Sequence, residues 1–137
     1  MYQHILLAYD GSDHARKAAG KAAEIATADG AHVTILIAYP SISPFFLGSK
    51  LNDAEVIRYW EEKAAEIQPL FKQKSISIDT VIQEEDPKKL ILDKAAELEV
   101  DLIVMGSRGL SNYERLMLGG VSQTISQHAE CDVLLVK

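Results

Sequence analysis

The sequence predicts an α/β fold: a doubly wound five-stranded parallel sheet with helices on both faces. Short apolar runs alternate with segments of helical periodicity along the whole chain, in the order βαβαβαβαβ. Two runs, HILLAY at 4–9 and HVTILIAY at 32–39, carry almost no charge, which is typical of strands covered by helices on both faces. Right-handed crossovers then place each connecting helix on one face of the sheet. We expect a single domain over residues 1–137.

The first βα unit is a strand at 4–9 followed by a helix from Ser12 to about Ala28. Alanines recur through the helix at helical spacing, and Ser12 or Asp10 caps its start by accepting a hydrogen bond from a free N–H group. Gly30 follows its last residues, as glycine often does after a helix.

The second strand, 32–39, leads into a segment of different composition. Residues 40–52 contain two prolines, one glycine and three serines around Phe45, Phe46 and Leu47. This composition predicts a loop with an apolar tip. The tip either packs on the domain or serves as a lid or partner surface.

The middle of the chain supplies a helix and a strand with a different pattern. A helix begins at Asp53, and Pro69 kinks it or ends it at about Gln68. Its apolar residues, Trp60 among them, have the spacing of a buried stripe. Apolar and polar residues alternate at 75–83, which predicts a half-exposed strand at the edge of the sheet.

The last third of the chain completes the alternation. Asp86 is predicted to cap a helix that ends near Val100. A strand at 101–105, a helix at 121–129 and a strand at 132–136 follow. The last strand is apolar, and pairing with the same strand of a second chain would cover its edge.

Composition and charge exclude several classes of protein. The formal net charge is −6, which disfavours general attraction to nucleic acid or to an anionic membrane surface. No basic leader precedes the first strand and no apolar run approaches about 18 residues, so we expect a cytoplasmic protein without membrane insertion. The one cysteine, Cys131, cannot form an internal disulfide and is predicted to pack beside the last strand.

The stretch 105–122, MGSRGLSNYERLMLGGVS, has the composition of a phosphate site. Gly106 and Gly109 follow a buried strand, and Gly119 and Gly120 open the next helix. Glycines allow close approach of the backbone, and a helix N-terminus supplies free N–H groups and a positive dipole. The alternative is that these glycines only end a strand and begin a helix. The stretch is neither a Walker A loop nor a dinucleotide-binding GxGxxG motif.

The predicted topology places this stretch beside an acid. A doubly wound sheet builds outward from its first strand to its third and then returns to place the fourth on the other side of the first. The reversal opens a crevice at the carboxyl ends of strands one and four, where such sheets bind ligands. Tyr9 and Asp10 end the first strand, and Met105 and Gly106 end the fourth.

These segments resemble the universal stress protein (UspA) family. The similar stretches are ILLAYDGSDHARKAA, IVMGSRG and LGGVSQTISQHAECDVLLV, and the resemblance is weakest from 40 to 73. The family's nucleotide-binding pattern is G-x2-G-x9-G-(S/T), which Gly106, Gly109 and Gly119 match. The resemblance implies a Rossmann-like fold with strand order 3-2-1-4-5, usually a homodimer, whose ATP-binding members hold the nucleotide between strands one, two and four.

The resemblance also implies roles for individual residues around an adenine nucleotide. On the base and ribose side these are Ala8, Tyr9, Asp10, Ala38 through its main chain, Met105 and Gly106. Around the phosphates they are Arg108, Gly109, Gly119, Gly120, Val121 and Ser122. Asp10 can accept hydrogen bonds from hydroxyl groups or hold Mg2+.

One position differs from the family's pattern, because Gly120 stands where the motif has Ser or Thr. Losing a hydrogen bond to a charged group costs about 1.5–3 kcal/mol, which is about tenfold to a hundredfold in affinity. Either Ser122 compensates, or the site prefers AMP or another adenine nucleotide to ATP.

The sequence is compatible with three functions. The first is a cytoplasmic stress-response protein that binds ATP or AMP at the carboxyl ends of strands 1, 2 and 4 and regulates through its occupancy. The second is a nucleotide-free dimer through 132–136 that acts on an unknown protein partner. The third is a slow ATP hydrolase, for which no general base can be assigned because His14 is expected to be solvated. We assign no catalytic residue.

Overall fold

The computed structural model describes residues 1–40, 52–108 and 120–137. The strands are β1 His4–Ala8, β2 His32–Tyr39, β3 Ile78–Glu84, β4 Leu102–Gly106 and β5 Asp132–Val136. The helices of the described residues are α1 Asp13–Asp29, α2 Asp53–Lys72, α3 Pro87–Glu97 and α4 Gly120–His128. The predicted apolar tip at Phe45–Leu47 lies outside the described residues.

The five strands form one parallel sheet in the order β3-β2-β1-β4-β5. The predicted fold class is therefore confirmed, strand order included. Within the described residues, none of the helices has the length and apolar content needed to cross a bilayer.

Two cores lie on opposite faces of the sheet because side chains alternate along each strand. On one face, Ile5 and Leu7 of β1 pack with the alanines of α1 and with Trp60 and Phe71 of α2. On the other face, Leu6 packs with residues of α3 and α4. Trp60 is buried and stacks on Tyr39, with ring centroids 6.0 Å apart, so its predicted core role is confirmed.

Most predicted boundaries agree with the structure to within one residue, but strand β3 begins at Ile78 rather than at the predicted residue 75, and two helix ends also differ. Helix α2 does not end before Pro69, because it continues to Lys72 and buries Phe71 completely in its last turn. Helix α3 ends at Glu97, before the predicted Val100. There the chain leaves the helix through Glu99, whose φ is 53°.

The edge positions of β3 and β5 also agree with expectation. The side chains of β3 are half-buried or exposed along its length, as its alternating sequence predicts. In β5, Val133 to Val136 are half-buried. The last strand therefore presents an apolar edge.

Candidate functional site

A cavity opens at the carboxyl edge of the sheet, where β1 and β4 end. The space in it that is open to the centre of a water molecule is about 110 Å³. The cavity is lined by Ala8, Tyr9, Asp10, Ala15, Leu36, Ala38, Pro87, Ile91, Met105, Gly106, Arg108, Val121 and Ser122.

The strand order explains the position of this cavity. Strand β1 lies between β2 and β4. The helix after β1 packs on one face of the sheet, whereas α3 and α4 pack on the other. The chain therefore leaves neighbouring strands in opposite directions, which opens the crevice expected in a doubly wound sheet.

The structure brings together nine of the twelve residues predicted for the nucleotide site. Around the cavity are Ala8, Tyr9, Asp10, Ala38, Met105, Gly106, Arg108, Val121 and Ser122. Gly120 is the first residue of α4 and is not among the lining residues. Gly109 and Gly119 lie outside the described residues. The role of these residues in binding a nucleotide remains a prediction.

Four lining residues were not predicted: Ala15, Leu36, Pro87 and Ile91. Pro87 and Ile91 belong to the first turns of α3, which starts at the same edge of the sheet. The Asp86-Pro87 start signal was available in the sequence, and each helix that follows a strand of a parallel sheet begins at the carboxyl edge. Topology therefore indicated α3 as a wall of the site.

The end of β1 holds Asp10 in a defined turn. Its Oδ1 accepts a hydrogen bond from the N–H of Ser12 at 2.9 Å. Ser12 caps α1, and its Oγ accepts from the N–H of Ala15 at 3.2 Å. Both predicted capping residues therefore take part, but only Ser12 bonds the helix itself. The carboxylate is fixed beside the cavity rather than free to rotate.

Tyr9 lines the cavity although its side chain belongs to the core on the α1 and α2 face. The side chain is 2% exposed, and burial raises the pKa of its hydroxyl above its usual range. The phenol therefore stays neutral at pH 7 and brings no negative charge to this edge of the sheet.

The main chain of Ala38 faces the cavity. In β2, the N–H of His32 bonds to Gln3 at 2.9 Å and the carbonyl of Leu36 accepts from Tyr9 at 2.9 Å. Even-numbered residues of β2 therefore direct their main-chain groups towards β1. Strand β1 ends at Ala8, opposite Leu36. The N–H and C=O of Ala38, two residues further on, point towards the space beyond that end.

Gly106 is required by the packing of α1 as well as by the cavity. A Cβ atom at this position would lie 2.7 Å from the Cβ of His14, 2.9 Å from its carbonyl carbon and 3.0 Å from the N of Ala15. Two of these three atoms belong to the backbone of α1 and cannot rotate away. The glycine therefore allows β4 and α1 to approach each other directly.

Ser107, which was not predicted as a site residue and does not line the cavity, lies between two lining residues and connects three elements of the fold. Its N–H donates to the carbonyl of Val136 at 2.8 Å. Its Oγ lies 3.1 Å from Nδ1 of His14, and its carbonyl accepts from the Oγ of Ser122 at 2.8 Å. Its position directly after Gly106 is the only signal that the sequence offers for this role.

Two expectations change because of Ser107. His14 is not simply solvated, since it is half-buried and bonded to Ser107. Ser122 is 2% exposed and donates its single hydroxyl proton to the carbonyl of Ser107. That proton is used within the protein, which disfavours Ser122 as a replacement for the hydroxyl that position 120 lacks.

The cavity has two chemically different parts. Small or apolar side chains of Ala8, Ala38, Ile91 and Met105 line the sheet side. Arg108 is half-buried and lies beside the first turn of α4, where Val121 and Ser122 also line the cavity. Helix N-termini and arginine both favour anions. The arrangement suits a ligand with a flat apolar part and an anionic part.

Asp10 is the predicted ligand for Mg2+. In the described part of the chain it belongs to no group of three or more metal-ligating side chains. Magnesium is commonly held by one or two carboxylates together with substrate phosphates and water. Asp10 therefore fits Mg2+ only when a phosphorylated ligand supplies further oxygen atoms.

Comparison with known proteins identifies the relatives of the chain. The profile of the universal stress protein family matches residues 1–137. A universal stress protein of Thermus aquaticus is 38% identical, with 100% of both chains covered. The solved structure of UspA from Lactobacillus plantarum is 29% identical with a TM-score of 0.85, covering 99% of this chain and 98% of that one. A universal stress protein solved in complex with cAMP is 27% identical with a TM-score of 0.78, covering 99% and 97%.

Proposed function

The chain belongs to the universal stress protein family, and we propose that it is a cytoplasmic stress-response protein that binds an adenine nucleotide at the carboxyl ends of β1, β2 and β4. Its occupancy by ATP or AMP would regulate which protein partner the chain contacts. The function requires binding and no turnover.

One observation supports this proposal above all: the main chain of Ala38 and the first turn of α4 line the same cavity. An adenine ring presents hydrogen-bonding groups on its edge and apolar faces. The N–H and C=O of Ala38 match that edge, and Ala8 and Met105 match the faces. Arg108 and the first turn of α4 then lie on the phosphate side.

The relatives support the same ligand class. A structural neighbour at 27% identity was solved in complex with cAMP, an adenine nucleotide with a single phosphate. Gly120 lacks a hydroxyl, and the hydroxyl proton of Ser122 is donated to Ser107. The described residues therefore offer few side-chain donors to a long phosphate chain. We expect AMP to bind at least as tightly as ATP.

Calorimetric titration of the untagged, nucleotide-stripped protein tests the proposal. AMP, cAMP and ATP are each titrated with and without Mg2+. We expect one site per chain, and an effect of Mg2+ on ATP alone if Asp10 holds the ion together with phosphate oxygens. Absence of heat with all three nucleotides would contradict the proposal.

Two substitutions locate the site. Ala38→Leu fills the base side and should abolish AMP binding, whereas Ala28→Leu makes the same change at an exposed position on α1 and should leave it intact. Arg108→Gln removes a charged donor and should weaken binding by about tenfold to a hundredfold. Wild-type affinity in both Ala38→Leu and Arg108→Gln would place the nucleotide elsewhere.

A second candidate function is a nucleotide-free homodimer that acts through a protein partner. The observation that favours it is the apolar edge of β5, where Val133 to Val136 are half-buried in the single chain. Pairing of two such edges would remove unpaired strand groups. Sedimentation should show a dimer under this proposal, and a dimer that gives no heat with nucleotides would favour the second candidate over the first.

A further inference from the structure

Two histidines and an aspartate meet at the amino edge of the sheet, on the face that also carries the cavity. His4 opposes His32 in the register of β1 and β2, and Thr34 opposes Asp79 in the register of β2 and β3. Because side chains alternate along a strand, all four lie on the same face as Leu6. The cluster therefore sits at the opposite end of this face from Ala8 and Ala38.

The contacts within this cluster converge on one carboxylate oxygen. Oδ1 of Asp79 lies 2.7 Å from Nε2 of His32 and accepts a hydrogen bond from Oγ1 of Thr34 at 2.8 Å. Nε2 of His4 lies 2.7 Å from the same threonine oxygen. The two imidazole rings are nearly perpendicular, with centroids 5.0 Å apart. The ligand atoms of His4, His32 and Asp79 all lie within 4.8 Å of one another.

The surroundings orient these groups. Nδ1 of His32, the nitrogen facing away from Asp79, lies 2.9 Å from the Oγ of Ser77. Metal-binding imidazoles almost always have their second nitrogen bonded in this way, because the bond fixes the tautomer and the ring orientation. The His32 ring therefore already has the supporting contact of a metal ligand.

The protonation states also suit a cation. Burial, and next the charge of His32, lower the pKa of His4, so its ring is neutral at pH 7. Burial opposes ionisation of Asp79, but the hydrogen bonds from Thr34 and His32 outweigh it and lower the pKa of that carboxyl. A neutral imidazole and an ionised carboxylate are the forms that bind a metal.

We propose that His4, His32 and Asp79 form a binding site for a divalent transition metal ion, with Zn2+ as the best-matched ion. Two imidazole nitrogens and one carboxylate oxygen are ligands that zinc prefers, and three protein ligands leave a fourth position for water or a second ligand. The site is open to solvent, since the His32 and Asp79 side chains are 35% and 51% exposed. Thr34, which is 1% exposed, closes it from below.

Metal entry requires only small changes in the cluster. Zinc bonds of about 2.0–2.2 Å in a tetrahedron separate ligand atoms by about 3.4 Å. The contact of 2.7 Å between His32 and Asp79 must therefore lengthen, and the ion replaces the Thr34 hydroxyl as the bridge between His4 and Asp79. Both exposed side chains can make this adjustment by rotation.

Titration of the untagged protein with Zn2+ tests the site, and Co2+ provides a spectroscopic readout. We expect one Zn2+ per chain, a rise in the thermal midpoint with Zn2+, and visible absorption typical of tetrahedral Co2+ that Zn2+ displaces. His32→Gln and Asp79→Asn should each weaken Zn2+ binding at least tenfold while retaining the far-UV circular dichroism of the folded chain. His128→Gln is the matched control, since His128 is exposed at the end of α4.

Three results would overturn the proposal. One is the absence of stoichiometric Zn2+ binding by the wild-type protein, which would leave the cluster as a hydrogen-bonded contact between strands. Another is wild-type affinity in both His32→Gln and Asp79→Asn. The third is an equal loss in His128→Gln. The AMP titration is an independent readout, because the metal site and the cavity share no residue.

Discussion

The two ends of one sheet face are built from the same strands yet have opposite characters. At the carboxyl edge, Ala8 and Ala38 have small side chains and the chain turns away to both faces, so space remains. At the amino edge, His4, His32 and Asp79 have long polar side chains that fill the surface; His32 bonds directly to Asp79, and His4 is linked to it through Thr34. A doubly wound sheet provides a crevice at its carboxyl edge, whereas the chemistry at the amino edge of this sheet comes from side chains.

The carboxyl edge should tolerate fewer substitutions than the amino edge, because the backbone itself forms the site. Its walls depend on Gly106, where β4 meets α1, and on Ser107, which bonds to β5, α1 and α4. The amino edge depends on side-chain contacts that are half-exposed. Substitutions at the carboxyl edge should therefore cost more stability than changes at the amino edge.

The largest effect is expected for Gly106→Ala. The new Cβ would lie 2.7 Å from the Cβ of His14 and 2.9 Å from its carbonyl carbon, so α1 must move. Overpacking of this kind costs about 1–3 kcal/mol and sometimes more, and we expect the upper end of that range in urea unfolding because a backbone atom is involved.

Gly20→Ala is the matched control for this substitution. Gly20 lies within α1, and a Cβ there would meet no atom within 4 Å. Alanine is favoured over glycine inside a helix by about 0.5–1 kcal/mol, so this variant should be more stable than the wild type. Equal stability of the two variants would show that the approach of β4 to α1 does not depend on glycine.

Ser122→Ala should have an intermediate effect. The substitution removes a buried hydroxyl and leaves the carbonyl of Ser107 without that donor. We expect a loss of about 1–2 kcal/mol in the free energy of unfolding. Ser126→Ala removes an exposed hydroxyl that donates to the carbonyl of Gln123 at 3.0 Å, and it should change stability by less than about 0.5 kcal/mol. Equal losses in the two variants would contradict the structural role of Ser122.

The smallest effect is a pH dependence at the amino edge. The folded state lowers the pKa of His4 below 6.5, so the unfolded chain takes up the proton more readily. The contribution of His4 is therefore complete above pH 6.5 and is lost as pH falls through the pKa of the folded state. His32, Asp79 and Asp101 act on the same ring.

The direction of this pH dependence can be checked by measuring the midpoint of urea unfolding between about pH 7.5 and about pH 5.5. The wild-type midpoint should fall with decreasing pH, and it should fall less in His4→Gln. The lowered pKa of Asp79 has its effect in a more acidic window, because its contribution is lost only below its usual value of 3.8. An unchanged slope in His4→Gln would contradict the assignment to this residue.

The sequence predicts most of this fold because its local signals agree with its topology. Strands 32–39 and 132–136 have the predicted bounds, since apolar residues stop where polar residues or turns begin. The end of α2 could not be placed from Pro69 alone. Complete burial of Phe71 stabilises one more turn, and that burial depends on the sheet.

The two ends of the face differ in how far they could be foreseen. The carboxyl edge could be predicted because a strand followed by a helix is a local sequence pattern. That pattern located the strand ends, and glycines and an acid stand at those ends. His4 and Asp79 are far apart in the sequence, and only the register of three strands brings them together. The contact between Ser107 and His14 could not be predicted from local sequence either, because it depends on how α1 packs against β4.

Chemical-shift perturbation of the isotope-labelled protein by AMP tests the carboxyl-edge cavity most directly as a nucleotide site. We expect AMP to shift the amide signals of five residues around the carboxyl-edge cavity: Ala8, Asp10, Ala38, Met105 and Val121. The amide signals of His4, His32 and Asp79, at the other end of the face, should stay in place. Shifts confined to the amino edge, or none at saturating AMP, would contradict the claim that the cavity is a nucleotide site.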